Sequence, residues 1–204
     1  MQLTSRRPRP LDRRIPHLHD TRLVIIATEG ECTEKQYFST FERKSTRVQV
    51  RVLETIQGMS APKHVLDRLR RYRREYELGP GDALCLVVDK DRWPDQQLSK
   101  VAAEAFRLHF ELAVSRPCFE VWLYLHHTDC TPEMSDMTSQ DIVECLRVLL
   151  GGYDNSNLRT ELFEPHIDDA VRRAEALDVS PSDRWPNRLG TRVYRVIRAI
   201  RDRM

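Results

Sequence analysis

The sequence predicts an α/β fold in which a four-stranded, mostly parallel sheet is flanked by helices. Short apolar runs rich in branched side chains recur along the chain, as expected for strands buried on both faces. Each run is followed by a segment with the periodicity of an amphipathic helix. Strand and helix alternate four times, and this order implies a parallel sheet with right-handed crossovers.

The first strand is predicted at 23–27, where Leu-Val-Ile-Ile-Ala forms an uninterrupted apolar run. Thr33 has the residue type of a helix N-cap, and Gln36 stands at the capping-box position after it. The first helix is therefore predicted to begin there. Apolar and polar side chains alternate at 48–53, which predicts a second strand.

The second helix is predicted to begin at Ser60 and Pro62, because both residue types favour helix starts, and to run to about Leu78. A third strand is predicted at 83–88, where every side chain is apolar. The third helix is predicted at about 96–109.

The fourth strand is predicted at 110–114, and residues 115–117 are expected to start the helix that follows. Beyond Thr128 the alternation stops, and further helices are predicted near 139–150, 167–177 and 190–203. The last helix is predicted to have an apolar face and a basic face, formed respectively by Leu189, Val193, Ile197 and Ile200 and by Arg192, Arg195, Arg198 and Arg201.

The length of 204 residues is that of one domain. We expect residues 1–20 to form an irregular basic arm, residues 21–128 to form the α/β core, and residues 129–204 to form a helical C-terminal extension of the same domain. No apolar run is long enough to span a membrane, and the basic N-terminus lacks the apolar segment of a secretory signal. A cytoplasmic protein is therefore expected.

The charge is nearly balanced, with 33 basic and 31 acidic side chains and a net charge of +2. The basic residues comprise 28 arginines and only 5 lysines, and they are concentrated at 1–22, 63–76 and 184–204. The planar guanidinium group suits phosphate binding, although skewed genomic base composition produces the same excess. The composition therefore permits nucleic-acid binding without requiring it.

The five cysteines include no CxxC pair, which argues against a disulfide framework and against a zinc ribbon. A zinc site can be assembled on paper from His126, His127, Cys130 and Cys145, but their spacing fits no familiar pattern. Buried, inert thiols are the expected alternative.

Acidic residues follow three of the predicted strands. Glu29 and Glu31 come after the first strand, Asp89 and Asp91 after the third, and Glu120 shortly after the fourth. Ligands of open parallel sheets bind outside the carboxyl ends of the strands, so these acids should converge there. Carboxylates sharing a site repel each other unless a proton or a cation intervenes, and hard oxygen ligands favour Mg²⁺ or Mn²⁺. Acids in such positions also commonly cap helices or face solvent.

This pattern predicts a metal site formed by Glu29, Asp89 and Asp91, with Glu29 as a ligand or as a general acid or base. Glu120 is expected to complete the catalytic set, and Glu31 and Glu34 to support it. For Glu34, at the start of a helix, interaction with the helix dipole is the alternative. The candidate nucleic-acid-binding residues are Lys90, Arg92, Arg116, Arg70, Arg71 and Arg74. For Lys90 and Arg92 the alternative is that they only offset the neighbouring carboxylates, and for the arginines of the second helix it is a solvated face.

Three other side chains near these acids have two interpretations each. Trp93 either stacks on a base or packs over the edge of the sheet. His126 and His127 either provide a general base or cap the end of their helix. These alternatives remain open at the level of sequence.

The residues resemble those of a known fold and a known family. The arrangement of Glu29, Asp89 and Asp91 resembles the Toprim fold of topoisomerases, primases and certain nucleases, which has a glutamate after its first strand and a DxD after its third. More closely, the chain resembles the RloB-like family of bacterial defence-associated proteins. The matching segments are VIIATEGECTE with Tyr37-Phe38, VVDKD, and LAVSRPCFEVW, of which the last is the most specific.

Three departures from the family pattern affect secondary contacts and leave the acidic set intact. Arg116 stands where the family is expected to have Asn before the proline, and Cys32 stands in place of Lys. The segment 186–189 does not reproduce the usual NPST-like ending.

The resemblance implies a Toprim-like, Mg²⁺- or Mn²⁺-dependent nuclease acting in phage defence, with RNA, and tRNA in particular, favoured over DNA. The alternative is a non-catalytic module that binds nucleic acid or a partner protein and retains the fold. A nucleotide-binding domain is disfavoured because the chain has neither GxGxxG nor a P-loop. No membrane partner is expected, and both a homo-oligomer and a defence-system partner subunit remain open.

Overall fold

The computed structural model describes residues 21–42, 45, 47–55 and 58–204, so the predicted arm at 1–20 lies outside the described residues. Five strands of the described chain form one sheet in the order β2-β1-β3-β4-β5. Neighbouring strands among the first four are parallel, and only β5 runs antiparallel to its neighbour. The fold is α/β with a mostly parallel sheet, consistent with a Toprim-like fold.

The strands closely follow the apolar runs. Their bounds are Arg22–Thr28 for β1, Val48–Leu53 for β2, Ala83–Asp89 for β3, Glu111–Arg116 for β4 and Gly190–Thr191 for β5. The two-residue β5 was not predicted, because so short a segment produces no apolar run. It pairs with the end of β4 through Ser115 and Thr191.

Seven α-helices lie within the described chain, and each has a counterpart in the predicted pattern. They are α1 (Thr33–Ser39), α2 (Pro62–Glu75), α3 (Asp95–Arg107), α4 (Glu120–Tyr124), α5 (Ser139–Leu150), α6 (Ile167–Leu177) and α7 (Val193–Arg201). None of the helices in the described part is long and apolar enough to cross a membrane.

Helices cover both faces of the sheet. In β1, Leu23 and Ile25 pack with α2 and α3, whereas Val24 and Ile26 pack with α1 and the later helices. These four side chains are at most 1% exposed. Burying an aliphatic side chain of this size contributes roughly 1.5–3 kcal/mol relative to leaving it in water. The continuous apolar runs are therefore explained by burial on both faces.

The C-terminal section packs against the same sheet. Helix α7 lies on β4 and β3, α5 packs on α4, and β5 extends the sheet itself. The predicted apolar face of α7 is confirmed for Val193, Ile197 and Ile200, which are buried in the core shared with β1 and β3. Leu189 is buried in the same core but precedes β5 and lies outside the helix. Residues 129–204 thus complete one face of the α/β core.

The predicted capping box at the start of α1 is wrong. Cys32 occupies the N-cap position, and no side chain of the described residues caps the helix there. Thr33 Oγ1 instead donates to Asn155 O at 2.9 Å, and Gln36 bonds the backbone of Ser156 and Leu158. Both side chains are used to hold a distant loop against α1.

The predicted helix start at 115–117 is also wrong. Ser115 and Arg116 belong to β4, and a cis peptide bond joins Arg116 to Pro117. Helix α4 begins only at Glu120. Pairing of Ser115 and Arg116 with β5, a contact distant in sequence, keeps these residues in the strand.

Two arginines of the basic stretches at 63–76 and 184–204 are buried. Arg68 is 8% exposed, and it donates to the backbone oxygens of Thr28 and Glu54 at the ends of β1 and β2. Arg192 is fully buried and pairs with Asp178 through two hydrogen bonds of 2.9 Å. These guanidinium groups stabilise the fold and are inaccessible to a ligand.

Candidate active site

The parallel register brings two strand ends together. Thr28, the last residue of β1, pairs with Val87 of β3, and Glu29 N donates to Val87 O at 2.9 Å. Asp89, the last residue of β3, pairs with Ser115 of β4. Glu29 and Asp89 therefore lie side by side at the carboxyl edge of the sheet, as the sequence predicted.

Glu29 is held in place at both of its carboxylate oxygens. Oε2 accepts from the backbone N–H of Asp89 at 3.1 Å, and Oε1 accepts from Trp93 Nε1 at 2.9 Å. Glu29 is only 3% exposed, and this burial raises the pKa of its carboxyl group. Trp93 thus has a role that neither sequence interpretation included, because its indole positions the glutamate.

The carboxyl group of Asp89 lies among the other acids of the cluster. Its Oδ1 is buried and has no hydrogen-bond partner among the described residues. Burial, followed by repulsion from Glu34, Glu29 and Glu120, raises the pKa of Asp89 well above its ordinary value. The site therefore lacks the positive charge that would stabilise an ionised Asp89.

Glu34 belongs to the same cluster, although its position near the start of α1 also suggested a helix-dipole role. Its carboxylate accepts from Gly30 N at 2.9 Å. Burial and the neighbouring Glu120 raise the pKa of Glu34 to about 7. A Cβ at Gly30 would lie 2.0 Å from Glu34 Oε2, so any larger residue at that position would displace the Glu34 carboxylate.

The C-terminal section supplies hydrogen bonds to two other acids. Tyr153 Oη donates to Glu120 Oε1 at 3.0 Å, and Ser139 Oγ donates to Asp91 Oδ2 at 3.0 Å. Burial raises the pKa of Tyr153, so its hydroxyl remains a donor. Sequence reasoning missed both partners, since each lies on an element that follows the strand–helix alternation.

The six acids predicted for the site and Ser139 line one cleft of about 690 Å³. Among its described lining residues, the acids outnumber the bases by seven to two: Glu29, Glu31, Glu34, Asp89, Asp91, Glu120 and Glu144 against Arg92 and Arg147. Arg92 lies 3.6 Å from Asp91 and 4.0 Å from Glu29. The predicted catalytic and supporting acids thus share a single cavity.

The chain matches a known protein family over most of its length. The family model described as RloB-like protein matches residues 24–200. The chain belongs to the RloB-like family. The match extends from β1 into α7 and so includes the sheet, the acidic cleft and the C-terminal section that supplies Ser139 and Tyr153. No curated protein and no solved structure shows a significant match to the chain.

In this RloB-like protein, most of the predicted nucleic-acid-binding residues lie away from the cleft. Arg92 is at the cleft, but Lys90 Nζ is turned to Trp93 O and to Asp95, each at 2.9 Å. Arg116 is exposed at the end of β4 and is absent from the described lining of the cleft. The remaining predicted residues, Arg70, Arg71 and Arg74, all lie on α2.

The geometry of α2 carries those three arginines away from the acids. The helix begins next to Ser60, which lines the cleft, and runs back toward the opposite edge of the sheet. At about 1.5 Å per residue, Arg74 lies roughly 18 Å along the helix from Pro62. Arg70 is also engaged by Asp67 at 3.7 Å.

His126 is a core residue of this protein. Its Nε2 lies 3.1 Å from Tyr37 Oη, and its Nδ1 lies 2.9 Å from Trp122 O. Burial lowers the pKa of His126 to about 3, so the ring stays neutral. It packs against aromatic rings on both sides and does not line the cleft in the described part of the protein.

The donor set of the cleft suits a hard cation. Every candidate ligand is a carboxylate, which favours Mg²⁺ or Mn²⁺ over zinc. The unpartnered Oδ1 of Asp89 and the repulsion among its neighbours fit the binding of a positive ion. Across the described residues, however, no three His, Cys, Asp or Glu side chains are grouped closely enough to hold a metal. Binding would therefore require rotation of at least one carboxylate.

Proposed function

We propose that this RloB-like protein is a Mg²⁺- or Mn²⁺-dependent nuclease that cleaves phosphodiester bonds of RNA in anti-phage defence. The observation that supports this proposal most strongly is the buried carboxylate cluster around Asp89, whose Oδ1 lacks a partner among the described residues. Perturbed acids gathered in a cleft are typical of catalytic sites.

Asp89 and Asp91 are the proposed metal ligands. Asp91 is aligned by Ser139, and Asp89 offers its free oxygen. Glu29 is the third candidate, although both of its oxygens already accept hydrogen bonds. A bound Mg²⁺ would neutralise charge on the phosphate and polarise an attacking water.

Glu29 is better placed to act as an acid or base than the exposed acids of the cleft. Its raised pKa lets the carboxyl group hold a proton closer to neutral pH, and the Trp93 and Asp89 hydrogen bonds fix its orientation. Glu120, oriented by Tyr153, and Glu34 add negative charge beside Asp89. Both strengthen the preference of the site for a cation.

Arg92 and Arg147 are the proposed contacts to the substrate phosphate. They are the two basic residues in the described lining of the cleft, and their guanidinium groups suit bidentate binding of phosphate. Arg92 is 70% exposed, which leaves it free to reorient toward a ligand. The choice of RNA, and of tRNA in particular, rests on the family resemblance.

The test is cleavage of labelled RNA and DNA by the purified protein with Mg²⁺ or Mn²⁺. We expect cleavage that stops with chelator, and a loss of at least about 100-fold in Asp89→Ala, because both the proposed ligand and part of the charge balance are removed. The control for handling and folding is Lys35→Ala. It removes a lysine of α1 whose side chain is 45% exposed and forms an ion pair with Glu54. Cleavage that survives in both Asp89→Ala and Glu29→Ala would refute the assignment.

One observation favours the alternative of a non-catalytic binding module. No described group of three ligands is arranged for metal binding, as a degenerate site would also show. That alternative predicts salt-sensitive binding of nucleic acid with no metal-dependent turnover.

A further inference from the structure

A second groove adjoins the acidic cleft on the other side of the loop after β3. It has a volume of about 540 Å³ and lies between the first halves of α2 and α3. Leu66 and Val101 form its buried floor, and polar side chains border it: Lys63, Lys100, Gln96 and Gln97. Both lysines are exposed.

The groove and the cleft are neighbours along two stretches of chain. Ser60 lines the cleft and Lys63 lines the groove, while Arg92 lines the cleft and Pro94 lines the groove. Two or three residues span at most about 10 Å, so the two openings are separated by a narrow ridge. A chain-like ligand can therefore cross from one to the other.

Around the groove, the acidic side chains are paired with basic ones, whereas two lysines are not paired. Glu104, at its border, is neutralised by Arg107 at 2.7 Å, and Asp95 is paired with Lys90 at 2.9 Å. Lys63 and Lys100 form no ion pair or hydrogen bond with any described residue. The groove therefore presents two uncompensated positive charges beside a cleft that is strongly acidic.

We propose that this groove holds the sugar–phosphate backbone of the nucleic acid whose scissile phosphate lies in the cleft. Lys63 and Lys100 bind successive phosphates, and the amides of Gln96 and Gln97 reach sugar or base edges. This inference rests on the proposed nuclease function, and it specifies where the substrate strand leaves the site. It assigns the contacts with the strand to Lys63 and Lys100 in place of Arg71 and Arg74, two of the candidate nucleic-acid-binding residues, which lie on the distant half of α2.

The test compares two pairs of basic residues in an Asp89→Asn background, so that substrate is not consumed. The variants are Lys63→Gln/Lys100→Gln and Arg71→Gln/Arg74→Gln, which remove the same charge, and three of the four positions are on the same helix. Binding of a fluorescent single-stranded RNA is measured by anisotropy at several salt concentrations with Mg²⁺ present. The lysine pair is expected to weaken binding by about tenfold and to reduce the salt slope by about 1 to 2.

The outcomes distinguish this proposal from the nuclease assignment. If the arginine double variant loses as much RNA affinity as the lysine double variant, or more, the proposed role of the groove is wrong. If instead the lysine pair alone weakens binding but the wild-type protein never cleaves, the groove stands and the nuclease assignment fails. Cleavage by wild type with unaltered RNA binding in the lysine pair leaves the nuclease standing and refutes the groove.

Discussion

Asp89→Asn is expected to stabilise the metal-free protein, and the gain is expected to grow as the pH rises from about 5 to about 8. The pKa of Asp89 is raised by burial and by the surrounding carboxylates. Between its unfolded and folded pKa values, the folded state holds a proton that the unfolded state has released, so stability falls as the pH rises. Asparagine removes this loss, because it never ionises.

The measurement is the thermal unfolding midpoint with EDTA for wild type and variant across that pH range. For a protein of this size, each kcal/mol corresponds to about 2–4 °C, so a gain of several degrees near pH 8 is expected. The comparison variant is Asp129→Asn, which removes a carboxylate that is 76% exposed and is absent from the described lining of the cleft, so it should gain no stability. An Asp89→Asn gain that is constant with pH, or a loss at pH 8, contradicts the charge account of the cleft.

Arg192→Met is expected to be among the most destabilising substitutions, at about 3–5 kcal/mol. The guanidinium group is buried, forms two hydrogen bonds with Asp178 and donates to the backbone oxygens of Ser180 and Asp183. Without this guanidinium group, the Asp178 carboxylate, which is 3% exposed, keeps its buried negative charge but loses the arginine that pairs with it most closely. Chemical denaturation measures the loss.

The matched control for that prediction is Arg198→Gln. Arg198 lies on α7, which Arg192 immediately precedes, but it is 59% exposed and pairs with Glu175 at the surface, so a loss below about 1 kcal/mol is expected. The double variant Arg192→Met/Asp178→Asn should recover part of the stability, since no unpaired charge remains buried. Equal effects of Arg192→Met and Arg198→Gln would show that the buried pair does not hold the C-terminal section in place.

Much of the fold is predictable because each strand depends on a local pattern. The strand predicted at 48–53 has those bounds, since alternation of side chains is visible within six residues. The convergence of Glu29 and Asp89 follows in turn from the parallel order of β1 and β3. The capping box failed for the opposite reason: Thr33 and Gln36 bind a loop more than 100 residues away, which no local pattern reveals.

The acids of the candidate site can be predicted from the sequence, but the side chains that hydrogen-bond to them cannot. The strand ends are sufficient to identify Asp89 and Asp91, whereas Tyr153 and Ser139 reach the cleft only through packing of the C-terminal section. The basic stretches at 63–76 and 184–204 contain buried arginines as well as exposed ones. Burial of Arg192 depends on Asp178, and the sequence alone does not distinguish such a pair from exposed charge.

The central claim is that the acidic cleft binds a divalent cation through Asp89, and calorimetric titration with Mn²⁺ tests it most directly. At about pH 6.5 wild type should bind one or more ions and release protons, because metal binding displaces protons from carboxyl groups of raised pKa such as Glu34, at about 7. The released protons are measured by repeating the titration in buffers of different ionisation enthalpy. Asp89→Asn should weaken binding by at least about tenfold, or about 1.4 kcal/mol. Equal affinity of wild type and Asp89→Asn, or no binding to wild type at millimolar Mn²⁺, would contradict the account.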